Sequence, residues 1–447
     1  MKATPSTPPA GAPPAAPRPI RTAASLIVLR DSPRGMEVLL LRRAEKADDQ
    51  NSGASVFPGG VIDTHDRSLH LMCKGLDDAA ASMRLGLPDS GLDYYAAAVR
   101  ECFEEAGILF ASDGEGRVVE LDRLPHGRLE AMRHAAEQGT DALVAMCEAQ
   151  GWLLAVDRLA YFSHWLTPPG MPRRFDTRFF VAQMPSAQDV KPDGREIVAH
   201  MWLKPAEAVD PARGLKLMNV TRRTLEQLAR WGSVEHCMTH ARALTGIPLN
   251  MPRLADGPAG RRAVNIEEAA YDEIGRLDPE GRGDTRYALE AGLVTQLSAH
   301  IRRVAGDADT PHSYFVGGDG NGGQWALIDP APPGSTQAEA APGPVRWLLS
   351  TAARTAESAA ALERVRALSW PHAAVWWPEP GDSLDLGGTT LRALQPRPSD
   401  DGTAACQFLL DEERTLFSGA AKAPAETSDA GFDWIAPASG FIFRRIG

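Results

Sequence analysis

Long apolar runs are missing from this 447-residue chain. No stretch of 18 or more apolar residues occurs, so no membrane-spanning helix is expected. Cysteine is scarce: Cys73, Cys102, Cys147, Cys237 and Cys406 are odd in number and never spaced as a CxxC pair. That argues against a disulfide framework or a zinc ribbon and fits free thiols in a reducing cytoplasm. Basic charge is in deficit, with 47 Lys+Arg against 58 Asp+Glu and a formal net charge of −11. The chain therefore lacks the basic footprint of a non-specific nucleic-acid binder, and neither nucleic acid nor membrane is expected as a partner. Phosphate substrates stay open, because a bound divalent metal inverts the local charge. Aromatics are few at 6%, yet 43% apolar and 23% charged residues describe an ordinary globular composition.

The length allows two or three domains. Residues 1–21 hold seven prolines among many alanines, which predicts a disordered tail with no apolar core of a signal peptide. Ser25–Leu29 and Met36–Arg42 are apolar runs of strand length around a Ser32-Pro33-Arg34-Gly35 turn, which predicts a hairpin. Phe57-Pro58-Gly59-Gly60 breaks regular structure. Ser90 as N-cap, with Asp93 three positions on, predicts a helix that Gly107 ends. Residues 121–165 read as helical, 178–182 and 197–203 as strands, and 205–208 and 220–231 as helical. Pro248, Pro252 and Gly257-Pro258-Ala259-Gly260 read as a linker over 247–284, and short apolar runs between Gly, Pro and Asp follow to the end.

The chemistry is concentrated in Arg100-Glu101-Cys102-Phe103-Glu104-Glu105-Ala106-Gly107-Ile108. On a helix Glu101 lies one turn from both Glu104 and Glu105, while Val99, Cys102, Phe103 and Ala106 turn to the core. An acidic triplet met alone is most often a solvated helix face. Three converging carboxylates are otherwise costly unless a cation sits among them. A hard divalent ion with oxygen ligands, Mg²⁺ by default, suits that donor set and shares its sphere with substrate phosphates.

Here the triplet follows Phe57-Pro58-Gly59-Gly60, and the pairing resembles the Nudix hydrolase box. Arg100 to Ile108 matches each defined position of the second half of that box. Asp66, six residues after Gly60, stands where the family most often has Glu. Thirty-three residues (67–99) separate Asp66 from Arg100 where seven are usual, an insertion at about 67–92. Nudix enzymes resembling the peroxisomal coenzyme A diphosphatases carry an insertion there. Leu166-Thr167-Pro168-Pro169-Gly170, Pro172 to Phe180, Asp193-Gly194-Arg195-Glu196 and Trp202-Leu203 are similar to that branch. Leu39 to Ala44 with Gly53 partly matches its coenzyme A motif, with Leu41 where Thr is usual, Asp48 where Arg is usual and one residue inserted.

The resemblance implies residue roles. Glu101, Glu104, Glu105 and the Gly59 carbonyl would hold Mg²⁺ or Mn²⁺. Glu104, Glu105 and Glu196 would be catalytic. Arg100, Gly60 and Gly107 would support the site, and Arg43, Arg174 and Arg178, with Arg173 beside them, would meet substrate phosphates. Cys102 is expected as a buried thiol.

Residues from about 285 resemble a metallo-β-lactamase-fold hydrolase. Tyr314 to Gly317, Trp325 to Pro332 and Trp347 to Thr351 are similar to its opening strands, and Leu386 to Leu391, Thr415 to Gly419 and Asp433 to Pro437 to later ones. That family holds two metals with His-x-His-x-Asp-His, a bridging aspartate and a late histidine. Here those positions read Ala352 to Glu357, Ala420 and Ala438-Ser439-Gly440. A non-catalytic domain with no zinc is expected, shortened at its end.

The reading is an α+β Nudix fold, a mixed sheet between helices, over 22–246. A shortened αβ/βα metallo-β-lactamase-like domain follows over 285–447. The function implied is hydrolysis of a diphosphate in a small nucleoside-diphosphate derivative, coenzyme A or acyl-coenzyme A first, in the cytoplasm. ADP-ribose, a dinucleotide or an NTP as substrate stays open, as do a homodimer and a scaffold whose two domains merely bind ligands.

Overall fold

The computed structural model describes residues 19–47, 51–125, 127–136, 139–318, 323–398, 404–420 and 431–445. Most of the proline-rich tail, residues 1–18, and Asp48 lie outside the described residues. The chain divides into two units, the first Met1–Thr167 with Met171–Met251, the second Pro168–Gly170 with Pro252–Gly447.

The first unit is built on a mixed sheet. Strand β1 (Ile20–Ser32) and β2 (Gly35–Arg43) form the expected hairpin, with Leu29 opposite Val38 and Ser32 opposite Gly35. The first strand starts inside the expected tail, because Ile20 and Arg21 pair with Arg174 and Phe175 of the parallel strand Arg174–Gln183. Residues 23–29 are buried on both faces of the sheet. Leu26 and Val28 join the core under the helices that follow in sequence, while Ile27 and Leu29 face Leu225, Leu228 and Cys237 of two later helices. A strand covered on both sides reads as a continuous apolar run, as Ser25–Leu29 does. Strand β3 (Ser55–Val56) pairs with β2, and β4 (Gly59–Val61) pairs with β1.

Two local expectations need correction. Ala160–Leu166, read as the end of a helical region, is a strand antiparallel to Arg174–Gln183. Tyr161, Phe162 and Trp165 prefer that pleated, half-buried surface, and the last α-helix of the region stops at Gln150, with only a 3-10 turn at Val156–Arg158 after it. Helix α2 (Gly91–Ala106) starts after Ser90, but the Ser90 hydroxyl caps nothing and Asp93 pairs with His70 instead. Helix α1 (Asp78–Leu85), inside the insertion, does the capping. Asp78 accepts from the Ser90 and Leu92 N–H groups, and the Ser82 hydroxyl accepts from Gly91 N–H at 2.8 Å. A Cβ on Gly91 would lie 2.3 Å from the Ser82 nitrogen, so the two helices touch through that glycine. Leu69, Leu76, Ala81 and Leu85 place the insertion in the core.

The second unit contains two six-stranded sheets. Alternate residues face inward. Tyr314, Val316, Ala326 and Ile328 of one sheet join Leu391, Phe408 and Phe417 of the other in one core. Their neighbours Phe315, Leu327 and Leu348 point outward, under Leu362 of the helix Ala356–Ser369. This is the layered form that the metallo-β-lactamase resemblance implies. The segment 252–284 is no linker within it. Gly257 to Gly260 is the turn of a hairpin between Arg253–Ala255 and Arg262–Val264, closed by Gly260 N–H to Gly257 O at 2.9 Å. Glu273, on the helix Tyr271–Leu277, meets fully buried Arg303 in two contacts of 2.6 and 2.8 Å.

Candidate active site

Helix α2 delivers the acidic residues as its sequence periodicity predicts. Val99, Cys102, Phe103 and Ala106 are fully buried beneath it, and burial raises the Cys102 thiol far above its ordinary range, which fits a packing role. Gly107 ends the helix in the left-handed region at φ +71°, its N–H bonded to Phe103 O at 3.0 Å. Arg133, for which the sequence held no signal, donates to the Glu104 carbonyl at 2.7 Å and so covers one of the last open carbonyls of the helix.

Arg100 is the hub. Its Nε and Nη2 reach Asp66 at 2.6 and 3.0 Å, its Nη1 reaches Glu101 at 2.8 Å and Glu104 at 3.3 Å, and its Nη2 also donates to Val61 O at 3.2 Å. Asp66 is fully buried, so the shorter acid found here in place of Glu is a clamp on Arg100. Asp66 also accepts from Asp63 N–H at 2.9 Å, which closes the capping box of the 3-10 helix Thr64–Met72.

The glycine pair fits against the helix because it has no side chains. Gly59 N–H donates to Glu105 Oε2 at 2.9 Å. A Cβ on Gly60 would fall 2.5 Å from the Glu101 carboxyl, and one on Gly59 would fall 2.5 Å from the Ala24 carbonyl. Pro58 O accepts from Leu26 N–H and from the Ser25 hydroxyl, which locks the turn to β1.

Burial pushes the carboxyls of this group upward. Glu105 is raised well above the usual carboxylate range by burial and then by the neighbouring Glu101 charge, with the Gly59 N–H and Arg43 acting the other way. Burial raises Glu101 against the pull of Arg100, and raises Glu104 to about 7. The Glu196 charge adds to the push on Glu101 and Glu105. Glu196 itself is exposed beyond the Asp193 turn, with Arg43 4.0 Å away. The Arg100 guanidinium is held charged, since Asp66, Glu101 and Glu104 outweigh its own burial.

Negative charge is thus in surplus and the donors are all oxygen, which is the chemistry of a hard divalent cation. Among the described residues, no three acidic, His or Cys side chains already stand around a common point; Glu101 and Glu104 both lean on Arg100.

The structure does not gather all the arginines there. Arg178 is buried, with Nη1 3.1 Å from Asp176 and its guanidinium 4.5 Å over the Tyr94 ring. Asp176 is shared with His164 at 2.6 Å. A guanidinium so enclosed is a structural cation, which corrects its expected place among the substrate contacts. Arg174 donates to the Thr167 carbonyl at 3.0 Å. Arg43 alone of the three stands beside an acidic residue expected in the site.

A family model described as the NUDT19 Nudix domain matches residues 77–217. The human protein named acyl-coenzyme A diphosphatase NUDT19 is 30% identical over 266 residues, covering 50% of this chain and 70% of that protein. Its Xenopus laevis namesake is 29% identical over 213 residues, 40% of this chain and 56% of that protein, so the chain spans little more than half of this relative. A solved NUDIX hydrolase from Alicyclobacillus acidocaldarius is 28% identical, covering 52% of this chain and 99% of that one, with a TM-score of 0.43. With the glutamates of α2, the glycine pair and the Arg100–Asp66 clamp in one site, the chain belongs to the Nudix hydrolase family, in its NUDT19 group.

Proposed function

We propose that the first unit hydrolyses a diphosphate bond in a nucleoside-diphosphate derivative, with coenzyme A or acyl-coenzyme A as the preferred substrate. The relatives named acyl-coenzyme A diphosphatase support that substrate class. One observation carries the reaction type: Glu101 and Glu105 of α2 meet a side-chain-free glycine pair, and Glu101 and Glu104 share one fixed guanidinium.

Glu101, Glu104, Glu105 and the Gly59 carbonyl would hold Mg²⁺ or Mn²⁺. When bound, such an ion supplies positive charge for the phosphate oxygens and a more acidic water. The protein's own residues do the rest. Asp66 fixes Arg100, and Arg100 fixes Glu101 and Glu104. Gly60 leaves room for the Glu101 carboxylate. Glu104, Glu105 or Glu196 would take the proton of the attacking water, and Arg43 would pair with a phosphate oxygen. Water oxygen bonds to one phosphorus while the bridging P–O bond breaks, and coenzyme A yields 3′,5′-ADP and a phosphopantetheine product. The second unit takes no part in this chemistry.

Product release from coenzyme A, acetyl-coenzyme A, NADH, ADP-ribose and a dNTP, with Mg²⁺, Mn²⁺ or EDTA, tests the proposal. Metal-dependent cleavage of the coenzyme A members is expected. Fast ADP-ribose cleavage beside inert coenzyme A thioesters would overturn the substrate choice, and no metal-dependent turnover of any member would overturn the reaction.

A further inference from the structure

The resemblance read in the sequence assigns three separate segments of the second unit to metal-holding positions. The structure brings them together. Ala352, Ala420 and Ala438 line one cavity of about 1090 Å³.

The polar groups nearby are already engaged. Asp329, buried and left-handed at φ +50°, accepts from Thr351 N–H at 2.7 Å, from the Thr351 hydroxyl at 2.6 Å and from the Ser350 hydroxyl at 3.3 Å. Its oxygens therefore hold the loop that precedes Ala352. A Cβ on Gly419 would fall 2.3 Å from the Thr351 hydroxyl, so the next loop closes on the first through that glycine. Buried His312 spends both ring nitrogens, accepting Gly306 N–H at Nδ1 (2.9 Å) and donating from Nε2 to Gly440 O (3.0 Å). That bond holds the loop carrying Ala438. The loops are held around methyl groups, and this donor set does not fit a metal.

What remains suits an amphiphile. Ala361 and Leu368 of the helix Ala356–Ser369 are exposed along the cavity, Leu368 at 65%, and the edges of the mostly buried Leu362 and Val365 complete that wall. Arg364, four residues before Leu368 on the same helix, is exposed and is the cationic residue among the described residues of the lining. The volume lies just above the usual range of small-molecule sites, about 300–1,000 Å³. We propose that the second unit binds a fatty acyl anion here, its tail against Leu362 and Val365 and its carboxylate at Arg364. The site is independent of the reading of the first unit.

Displacement of a fluorescent fatty acid, cis-parinarate, from the full chain tests this with competitors from octanoate to hexadecanoate. Saturable one-site binding is expected, tightening about two- to fourfold per added methylene while the tail is still being buried. Ala352→Trp fills the cavity from an exposed position and should abolish binding. Arg364→Glu should weaken dodecanoate about tenfold and leave dodecanol unchanged, and its exposed position keeps the test available if Ala352→Trp does not fold. Glu105→Gln should bind the probe as the parent does, which separates this test from the hydrolysis. Unsaturable uptake, no dependence on chain length, or equal binding by the parent and both folded variants would overturn the proposal. So would tightly held stoichiometric zinc that a fatty acid does not displace.

Discussion

Replacing Asp66 by Asn tests the clamp behind the glutamates. Asp66 is fully buried and meets Arg100 through two contacts of 2.6 and 3.0 Å. Asn keeps one acceptor oxygen and turns a donor toward the guanidinium. The change therefore removes about one charge-assisted hydrogen bond, net ~1.5–3 kcal/mol, and the counter-charge of a buried cation. Breaking a buried pair costs ~3–5 kcal/mol. Arg100 still has Glu101 at 2.8 Å and Glu104 at 3.3 Å, which puts the loss at the lower end, about 3 kcal/mol. At ~1.4 kcal/mol per tenfold, hydrogen-exchange protection of the α2 amides falls by about a hundredfold, provided they exchange through unfolding of the first unit. Turnover falls at least tenfold with KM little changed, because the substitution loosens the glutamates and leaves the phosphate contacts in place. Protection within twofold of the parent, together with full turnover, would refute the hub role of Arg100. Asp66→Glu restores the charge but forces one methylene into a filled site, at a cost of ~1–3 kcal/mol.

Further tests address the site and the second unit. Gly60→Ala, whose Cβ would lie 2.5 Å from the Glu101 carboxyl, should cut turnover at least tenfold with little loss of melting temperature, because a flexible side chain gives way. Gly59→Ala meets the Ala24 backbone instead and should destabilise the fold, as a melting curve will show. Glu105→Gln should weaken Mg²⁺ or Mn²⁺ binding at least tenfold by calorimetry, independently of turnover; unchanged binding would remove Glu105 from the ligand set. Glu273→Gln leaves Arg303 charged in the core of the second unit and should cost ~3–5 kcal/mol, read by urea denaturation. Burial, and secondarily Arg303, holds His312 below its ordinary value of 6.5. The unfolded chain then binds more protons between the two values. Stability is full above about 6.5 and declines as pH falls below it, and His312→Gln, though weaker overall, should flatten that slope between pH 7 and 5.

The site was legible where one element carries it. Glu101, Glu104 and Glu105 lie on a single helix, and helical periodicity alone puts them together over a buried face of Val99, Cys102 and Phe103. The hairpin of β1 and β2 was legible for the same reason, since a turn flanked by apolar runs is local. Errors arose where partners are distant. Ser90 and Asp93 have the spacing of a capping box, yet Asp78 and Ser82 of the insertion reach the same N–H groups first. The aromatic residues of Ala160–Leu166 are compatible with either helix or strand until Arg174–Gln183 pairs with them.

Arginines show the limit most clearly. Arg43, Arg174 and Arg178 look alike in sequence, and each is a fair candidate for a phosphate. Their fates depend on the strand position and on what lies opposite. Arg178 stands opposite His164 on one side and Ala24 on the other, and Tyr94 of α2 covers it, so the sheet face that carries it is closed. Arg43 ends β2 with its side chain half-buried beside Glu196. A long cation is assigned by the residues around it, and those come from four strands and a helix that no local pattern connects. The alanines at 352, 420 and 438 show the converse. Their sequence says only that metal donors are missing; the fold shows that the three line one cavity. Alanine at these positions leaves no donor for a metal, and a cavity that Leu362, Val365 and Arg364 line leaves room for the proposed acyl anion.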